Sequence, residues 1–208
     1  TTLQRQGIPP QDFAPALDEI RQRFADIISE LQLQVDLAPD FAAIEAHLRT
    51  SPQRDYMASR GEYLNSIILA KYLGFDFIDA ENVVFFKDDG SFDAELTNTT
   101  LAKELAKHPN AVIPGFYGTM PNGTIKTFSR GGSDITGAIV ARAAEADVYE
   151  NWTDVSGMMM ADPRVVENPN IIETVTYREL RELSYMGATV LHEDAVFPAQ
   201  IAGIPINI

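Results

Sequence analysis

The chain has 208 residues, a formal net charge of −14 at pH 7 and no cysteine. Its length is sufficient for one α/β domain with a full hydrophobic core. The negative charge argues against nucleic acid and anionic membranes as partners, because both would repel it at long range. The lack of cysteine excludes disulfide frameworks, thiolate metal sites and cysteine nucleophiles. Since there is no signal peptide and no apolar run of roughly 20 residues, we expect a soluble, cytoplasmic protein.

The first half of the chain alternates between helical and strand-like patterns. Apolar residues recur at spacings of three and four from residue 12 to about residue 34, which predicts an amphipathic helix. We predict further helices over 40–48 and 61–73, the second ending at Gly74, and strands over 75–78 and 83–86.

The second half continues the alternation. Thr97 or Asn98 is the predicted N-cap of a helix that reaches Lys107. Thr176 and Glu179 match a capping box, so a helix should begin there and run to Tyr185, with Gly187 as its stop. The other predicted elements are strands over 111–114, 124–128 and 147–153, helices over 135–144 and 190–201, and a C-terminal strand.

This order of elements predicts the α/β class. Alternating strands and helices form a mainly parallel central sheet with helices on both faces, which is a three-layer α/β/α sandwich. Ligands of such folds bind at the carboxyl ends of the strands. Residues that follow the predicted strands are therefore the first candidates for a functional site.

The stretch TFSRGGSDITGA, residues 127 to 138, follows one of these strands and leads into a helix. Two adjacent glycines let the backbone approach a ligand closely, and a helix that begins just afterwards points N–H groups at an anion. The alternative is an ordinary tight turn in which Ser133 or Asp134 caps the helix.

Other polar clusters fall at predicted strand ends or helix starts. Arg130, Glu62 and Asp134 are the residue types that would hold a small zwitterionic acid with a second carboxylate. Each cluster also has a simpler explanation. Glu62 near a helix start would favour the helix dipole without a substrate, and Phe116 could belong to the core.

A second set of residue types suits a nucleoside triphosphate. Thr153, Asp154 and Arg164 provide hydroxyl, carboxylate and guanidinium groups. A turn at Thr153 and Asp154, and a solvated surface cation at Arg164, are the simpler alternatives. The three histidines, His47, His108 and His192, lack the spacing of metal ligands, so we expect structural or exposed roles and no metal site built on them.

Three longer motifs occur in order: FSRGGSDITGAIVA, NWTDVSGMMMADPRVV and YRELRELSYMGATVLHEDAVFP. Together they resemble the aspartate kinase signature of the amino acid kinase superfamily. The resemblance is close over residues 112–208, and SRGE at 59–62 agrees with the substrate-side segment of that family. Related kinases of acetylglutamate, glutamate, carbamate and uridylate share the fold, but the arginine in SRGGSD with TDV-x-G and ADPR favours aspartate.

The resemblance implies an activity. It implies ATP-dependent phosphorylation of the L-aspartate side-chain carboxylate to 4-phospho-L-aspartate, the first step toward lysine, threonine and methionine. Mg²⁺ is expected with ATP, and a homo-oligomer is expected for the intact enzyme. Two alternatives stay open: another amino acid kinase of the same fold, or a non-catalytic fragment that binds aspartate.

The resemblance also implies roles for residues on the acceptor side. Arg130 would bind a substrate carboxylate through both guanidinium nitrogens and contribute to catalysis, and Glu62 would attract the substrate ammonium. Phe116 would line the same pocket, Ser133 would position the substrate, and Asp134 would lie near the reacting groups.

On the donor side, the resemblance implies that Thr153 and Asp154 contact the nucleotide and that Arg164 approaches its phosphates. The chain also departs from the family pattern. No Lys-Phe-Gly-Gly-Ser-like turn occurs, Met159 replaces a frequent tyrosine, and Thr189 replaces a frequent lysine. We therefore expect residues 1–208 to be a single amino acid kinase domain that is incomplete at its N-terminus, lacks the regulatory ACT domains, and is inactive alone.

Overall fold

A computed structural model describes residues 13–153, 157–161, 165–185 and 193–208. Helices and short strands are mixed along these ranges, which agrees with the predicted α/β class, but three helices precede the first strand and three strands follow the fourth helix in succession. The helices are α1 (Ala14–Glu30), α2 (Ala38–Thr50), α3 (Arg54–Leu73), α4 (Ala94–Leu105), α5 (Gly132–Ala143), α6 (Tyr177–Tyr185) and α7 (Glu193–Ala202). The strands are β1 (Asp76–Phe77), β2 (Ala111–Val112), β3 (Tyr117–Thr119), β4 (Ile125–Thr127), β5 (Tyr149–Glu150) and β6 (Ile206–Asn207).

The three N-terminal helices share one apolar core. Leu17 of α1, Phe41 and Ile44 of α2, and Leu64 and Ile68 of α3 are buried together. Burial of this kind supplies the main free energy that holds amphipathic helices in place. The three helices therefore form one packed unit ahead of the strands.

Helix α3 ends where the sequence predicts and begins earlier. Gly74 follows it in the left-handed conformation with φ of 69°, which an L side chain rarely adopts. The predicted start at Gly61 is wrong, because the helix begins at Arg54. Gly61 lies in the helix interior, and the space around its Cα is open. A glycine inside a helix is unfavourable but tolerated when tertiary packing holds the helix.

The strands form parallel pairs and one hairpin. β1 pairs with β2 in parallel, β5 pairs with β6 in parallel, and β3 pairs with β4 in the antiparallel sense. The predicted strand over 83–86 makes single bridges instead of a regular ladder: Phe85 bridges Thr119, and Phe86 bridges Phe92. This segment still runs parallel to β3, because Thr119 N donates to Val84 O at 2.8 Å and Phe86 N donates to Thr119 O at 2.9 Å.

Helix α4 begins before the predicted cap. Asp93 is the N-cap, and its Oδ1 accepts a hydrogen bond from Leu96 N at 3.0 Å. The prediction of Thr97 or Asn98 as N-cap is wrong. Thr97 is fully buried inside the helix, where its Oγ1 accepts from Phe85 N at 2.9 Å. Its hydroxyl joins α4 to the strand-like segment and does not cap the helix.

Helix α5 also begins earlier than predicted, at Gly132. Its N-cap is Gly131 with φ of 58°, and no side chain of the described residues caps it. The prediction that Ser133 or Asp134 is the N-cap is therefore wrong, and both lie in the first turn. Because no described side chain accepts from them, the first N–H groups of α5 are suited to an anionic ligand.

Helices α6 and α7 complete the chain. The predicted capping box is confirmed: Thr176 N donates to Glu179 Oε2 at 2.8 Å, and Glu179 N donates to Thr176 Oγ1 at 3.2 Å. Gly187, the predicted stop, lies outside the described residues, as does Val190 at the predicted start of the last helix. Helix α7 packs on α5 through small side chains that include Ala138, Ala141 and Ala199.

The central core lies between the strands and helices α4 and α5. Val83, Val84, Leu101, Tyr117 and Ile139 are among its buried members. Within the described part of the chain, no helix combines the length and apolarity that crossing a membrane requires.

Candidate functional site

A groove with a volume of about 1010 Å³ runs between α3 and α5. Its floor and ends include residues of β2, the end of α4, and β5. Glu62 from α3 and Ser133 from α5 both line it. The fold thus brings together two predicted substrate-side residues that are far apart in the sequence.

Glu62 is exposed and lies in the third turn of α3. The alternative in which Glu62 near a helix start favours the helix dipole is therefore wrong, because the dipole effect falls off within the first turn. The helix instead holds this carboxylate at the wall of the groove.

The glycine turn ahead of α5 contacts the segment that carries Phe116. A Cβ added at Gly132 would lie 2.5 Å from Phe116 Cβ and 3.0 Å from Phe128 Cβ, so only glycine fits there. Phe116 has a positive φ of 63°, which is strained for an aromatic residue. Its N–H donates to Thr136 Oγ1 at 2.9 Å, and this bond holds the strained backbone against α5. Strain of this kind is concentrated at functional sites.

Gly115 makes a similar close approach on the groove side. A Cβ at Gly115 would lie 3.2 Å from both Cα and Oγ of Ser133. Gly115 and Ser133 both line the groove, whereas Phe116 is half-buried and is not among the described lining residues. The Gly115-Phe116 segment and the start of α5 therefore form one wall.

Arg130 is exposed and lies directly before Gly131. It is not among the residues that line the groove. Within the described part of the chain, no hydrogen bond or ion pair engages its guanidinium. The role of Arg130 in binding a carboxylate next to Glu62 stays a prediction.

Asp134 is held by a residue that the sequence patterns did not single out. Asn151 Nδ2 donates to Asp134 Oδ1 at 2.9 Å and to the hydroxyl oxygen of Tyr149 at 3.0 Å. The tyrosine hydroxyl in turn donates to the backbone oxygen of Asp134 at 3.4 Å. One signal could have identified Asn151: it lies at the carboxyl end of a strand, two residues ahead of Thr153.

The predicted nucleotide residues are only partly described. Thr153 is exposed and lies two residues beyond Asn151. Asp154 and Arg164 lie outside the described residues, so their roles stay predictions. The described segment nevertheless brings the start of this motif near the N-terminal turn of α5, because Asn151 contacts Asp134.

The groove itself is acidic in its described lining. Glu62, Glu145 and Glu150 contribute carboxylates, and no lysine or arginine is among the described lining residues. His108 at one end is paired with Asp76 and Glu104, and its hydrogen bond to Asp76 raises the pKa of its imidazole. No group of three or more Asp, Glu or His side chains within the described ranges could hold a metal ion.

The described histidines have structural contacts. His47 stacks on Tyr56 with ring centroids 3.7 Å apart, and its burial lowers the pKa of the imidazole. His108 joins the end of α4 to β1 through Glu104 and Asp76. His192 lies outside the described residues.

Comparison with known proteins decides the family. The model of the amino acid kinase family matches residues 14–208. The chain belongs to the amino acid kinase family. Its α/β fold is that of this family, since a crystal structure of Clostridium acetobutylicum aspartate kinase superposes with a TM-score of 0.87 at 50% identity. That alignment covers 98% of this chain and 45% of the solved one.

Other relatives in the family agree. Aspartokinase 3 of Bacillus subtilis is 39% identical over 212 residues, which cover 94% of this chain and 46% of the relative. E. coli aspartokinase III, solved in complex with aspartate and ADP, has a TM-score of 0.78 at 25% identity and matches 96% of this chain and 49% of its own. The chain thus spans about half the length of these relatives.

Proposed function

We propose that this chain is part of an aspartate kinase that transfers the γ-phosphoryl group of ATP to the side-chain carboxylate of L-aspartate. The observation that carries the proposal is the groove that both Glu62 and Ser133 line, beside the glycine turn ahead of α5. The relatives named aspartokinase, and the E. coli structure with aspartate and ADP, support the choice of acceptor and donor.

The acceptor side of the site suits a dicarboxylic amino acid. The uncapped start of α5 and the neighbouring Arg130 offer N–H groups and a planar guanidinium to a carboxylate. Glu62 offers the opposite charge for the ammonium of the substrate. We assign Ser133 to positioning the substrate and Phe116 to the wall that shapes this pocket.

The reaction requires alignment and charge neutralisation more than proton transfer. A carboxylate oxygen of aspartate forms a bond to the γ-phosphorus, while the bond to the β,γ-bridging oxygen breaks and ADP leaves. The acceptor is already ionised at neutral pH, because the usual pKa of an aspartate side chain is about 3.9, so no general base is needed. We therefore assign Asp134 to holding charge and geometry near the reacting groups.

The donor side is proposed to include Thr153, Asp154 and Arg164. Arg164 would bring a cation to the phosphates, which the described lining of the groove does not supply. Mg²⁺ characteristically binds to one or two carboxylates together with phosphate oxygens. Asp134 fits this requirement, because only its Oδ1 accepts a hydrogen bond within the described residues.

Acceptor competition in the full-length gene product tests this function. The purified protein would be given ATP, Mg²⁺ and, in separate reactions, L-aspartate, L-glutamate, N-acetyl-L-glutamate, carbamate and UMP, and ADP release would be followed. We expect aspartate to exceed glutamate by about 10- to 200-fold in kcat/KM, the range that one methylene group provides. Preference for another acceptor would identify another amino acid kinase, and aspartate binding without ADP release would identify a non-catalytic binding protein.

The proposal extends to the setting of the enzyme. We infer that residues 1–208 form a single domain, that the intact enzyme is a cytoplasmic homo-oligomer, and that its product enters lysine, threonine and methionine synthesis. The solved relative from Clostridium acetobutylicum is described as an enzyme for amino acid production, which supports the biosynthetic part of this inference.

A further inference from the structure

A buried amide joins strand β5 to helix α5 near the groove. Asn151 is only 9% exposed and follows β5 directly. A primary amide has two N–H groups, and the Nδ2 of Asn151 directs them to Asp134 Oδ1 at 2.9 Å and Tyr149 Oη at 3.0 Å. The donor capacity of this side chain is therefore fully used by two partners.

The backbone around Asn151 is fixed from the other side. Asn151 N donates to Asn207 O at 2.7 Å, and Tyr149 N donates to Pro205 O at 2.9 Å, so β6 holds both residues in register. The amide of Asn151 consequently projects from a paired strand segment and not from a free loop. A donor on such a segment can orient its acceptor precisely.

Helix α5 has a glycine, Gly137, at the point where the side chain of Tyr149 contacts it. A Cβ at Gly137 would collide with the hydroxyl and ring of Tyr149, so the tyrosine lies against a bare stretch of α5 backbone. Burial raises the pKa of Tyr149, which keeps its hydroxyl protonated and able to donate to the backbone oxygen of Asp134. Gly137, Tyr149 and Asn151 thus act on Asp134 together.

The chemistry of an amide suits this position. Asn151 binds the carboxylate of Asp134 without adding a charge, so the carboxylate keeps its negative charge for a ligand. An aspartate at residue 151 would place two carboxylates within hydrogen-bond distance, where they repel each other. A small side chain would leave one oxygen of Asp134 without its donor.

We propose that Asn151 is a positioning residue that orients the carboxylate of Asp134 relative to Thr153, a proposed nucleotide contact. The two residues share a short piece of chain, since Thr153 follows Asn151 by two positions. Asn151 therefore links the acceptor side at α5 to the donor side. This inference rests on the proposed function, because it assumes that phosphoryl transfer takes place beside Asp134.

Steady-state kinetics of full-length Asn151→Asp test the role. We expect kcat to fall by about a hundredfold, the effect of small misplacement at a reacting centre, while the KM values for aspartate and ATP change less than about threefold. Asn82→Asp is the matched control, because Asn82 is exposed and receives the same charge outside the groove lining. Asn151→Ser removes the amide without adding a charge and replaces Asn151→Asp if that variant does not fold. Normal kcat in a folded Asn151 variant would overturn the inference.

Exchanging the two side chains separates positioning from mere stabilisation. In Asp134→Asn combined with Asn151→Asp, the hydrogen bond is rebuilt with donor and acceptor reversed. We expect the double variant of the 208-residue chain to recover about half or more of the Tm lost by Asn151→Asp, while kcat of the full-length double variant stays as low as that of Asp134→Asn. Recovery of kcat would show that the pair is only structural.

These measurements distinguish failure of the inference from failure of the proposed function. If the unmodified full-length protein does not phosphorylate aspartate, the proposed function fails and the positioning role fails with it. If it does so and Asn151→Asp retains normal kcat, only the positioning role fails. The Tm comparison tests the contact between Asn151 and Asp134 in either case, because it requires no activity.

Discussion

At the scale of single residues, the charged groups near the groove differ in how firmly the fold holds them. Asp134 is held by Asn151, whereas Arg130 is exposed and has no hydrogen-bond or ion-pair partner within the described residues. Arg60, by contrast, is buried among tyrosine rings. Substitution of these residues should therefore affect either function or stability, and the two effects should separate.

Arg130→Lys in the full-length enzyme should raise the KM for aspartate. Lysine keeps the positive charge but loses the planar fork that binds a carboxylate through two nitrogens. We expect kcat/KM for aspartate to decrease by the equivalent of about 1 to 3 kcal/mol, with the KM for ATP nearly unchanged. Coupled measurement of ADP release with each substrate varied checks this, and Arg178→Lys, at an exposed site on α6, is the control. Unchanged aspartate kinetics would show that Arg130 is only a surface cation.

Arg60→Lys should lower the stability of the 208-residue chain. The Cζ of Arg60 lies 4.5 Å from the ring centroids of Tyr56 and Tyr63 and 5.3 Å from that of Tyr117. A lysine cannot stack its charge on these rings as a planar group does, and desolvated cation–π contacts of this kind contribute about 2 kcal/mol. Urea unfolding should show a loss of about this size. Arg54→Lys, at the exposed first residue of α3, should change the free energy of unfolding by less than about 0.5 kcal/mol, and equal effects of the two substitutions would contradict the reasoning.

At the scale of helices and strands, the interior glycines of α3 and α5 differ in the space available for a side chain. Gly61 has open space around it, whereas Gly137 lies directly beneath the ring of Tyr149. We expect Gly61→Ala to stabilise the chain by about 0.5 to 1 kcal/mol, because alanine favours the helix, and Gly137→Ala to destabilise it by about 1 to 3 kcal/mol through overpacking. Urea unfolding of the two variants provides the comparison. If both alanine variants were more stable than the unsubstituted chain, the contact between Gly137 and Tyr149 could accommodate a methyl group, and the overpacking argument would be wrong.

His108 links α4 to β1 and should make stability depend on pH. Its Nδ1 lies 2.8 Å from Asp76 Oδ2 and its Nε2 lies 3.2 Å from Glu104 Oε1, so the pKa of the folded imidazole is raised above its usual 6.5. Because the imidazole has a higher pKa in the folded chain than in the unfolded chain, its protonation stabilises the fold at pH values below the pKa of the unfolded state. This stabilisation is lost as the pH rises through the pKa of the folded state. We therefore expect His108→Gln to lower Tm at about pH 5.5 and to have little effect at about pH 8.5.

His47 affects the pH dependence of stability with the opposite sign to His108. For this reason the Tm of His108→Gln must be compared with that of the unsubstituted chain at each pH. Burial lowers the pKa of His47, so its protonation at acidic pH destabilises the fold. Because both proteins contain His47, its contribution cancels in the difference between their Tm values at the same pH. Equal Tm losses at acidic and alkaline pH would show that His108 contributes only packing.

At the scale of the whole molecule, charge limits what the chain can bind alone. The net charge is −14, and the described lining of the groove carries carboxylates but no lysine or arginine. ATP and aspartate are both anionic, so they require cations or N–H groups at the positions where their charges lie. The start of α5 supplies N–H groups but no cation.

The 208-residue chain has no Lys-Phe-Gly-Gly-Ser-like turn that could hold the transferred phosphate. We therefore expect it to release ADP at less than about 1% of the rate of the full-length protein, because loss of a single group that stabilises developing charge typically costs a hundredfold or more. ADP release from both proteins with ATP, Mg²⁺ and aspartate provides the measurement. Comparable turnover by the two proteins would contradict this prediction and would show that groups within these 208 residues, Arg164 among them, are sufficient to neutralise the phosphates.

Local signals in the sequence predicted several elements correctly. Gly74 ends α3, Thr176 and Glu179 form the capping box of α6, and helices are mixed with strands as in the α/β class. The starts of α3, α4 and α5 were predicted less well. The sequence pattern predicts a helix start at Gly61, but this residue lies inside α3. Thr97 is of a residue type that favours the N-cap position, but it is buried within α4 and accepts a hydrogen bond from Phe85 N. In each case tertiary packing outweighed a local preference of about 1 kcal/mol.

The sequence by itself determined the class of fold, the ends of the best-marked helices and, through its motifs, the family. These features depend on residues within a few positions of one another, where helical period, caps and turns operate. Only the tertiary structure decided which polar groups come together: Glu62 and Ser133 line one groove, and Asn151 donates to Asp134. Such contacts join distant parts of the chain, and no local preference specifies them, because they arise from the packing of α3, α5 and β5 around shared apolar surfaces.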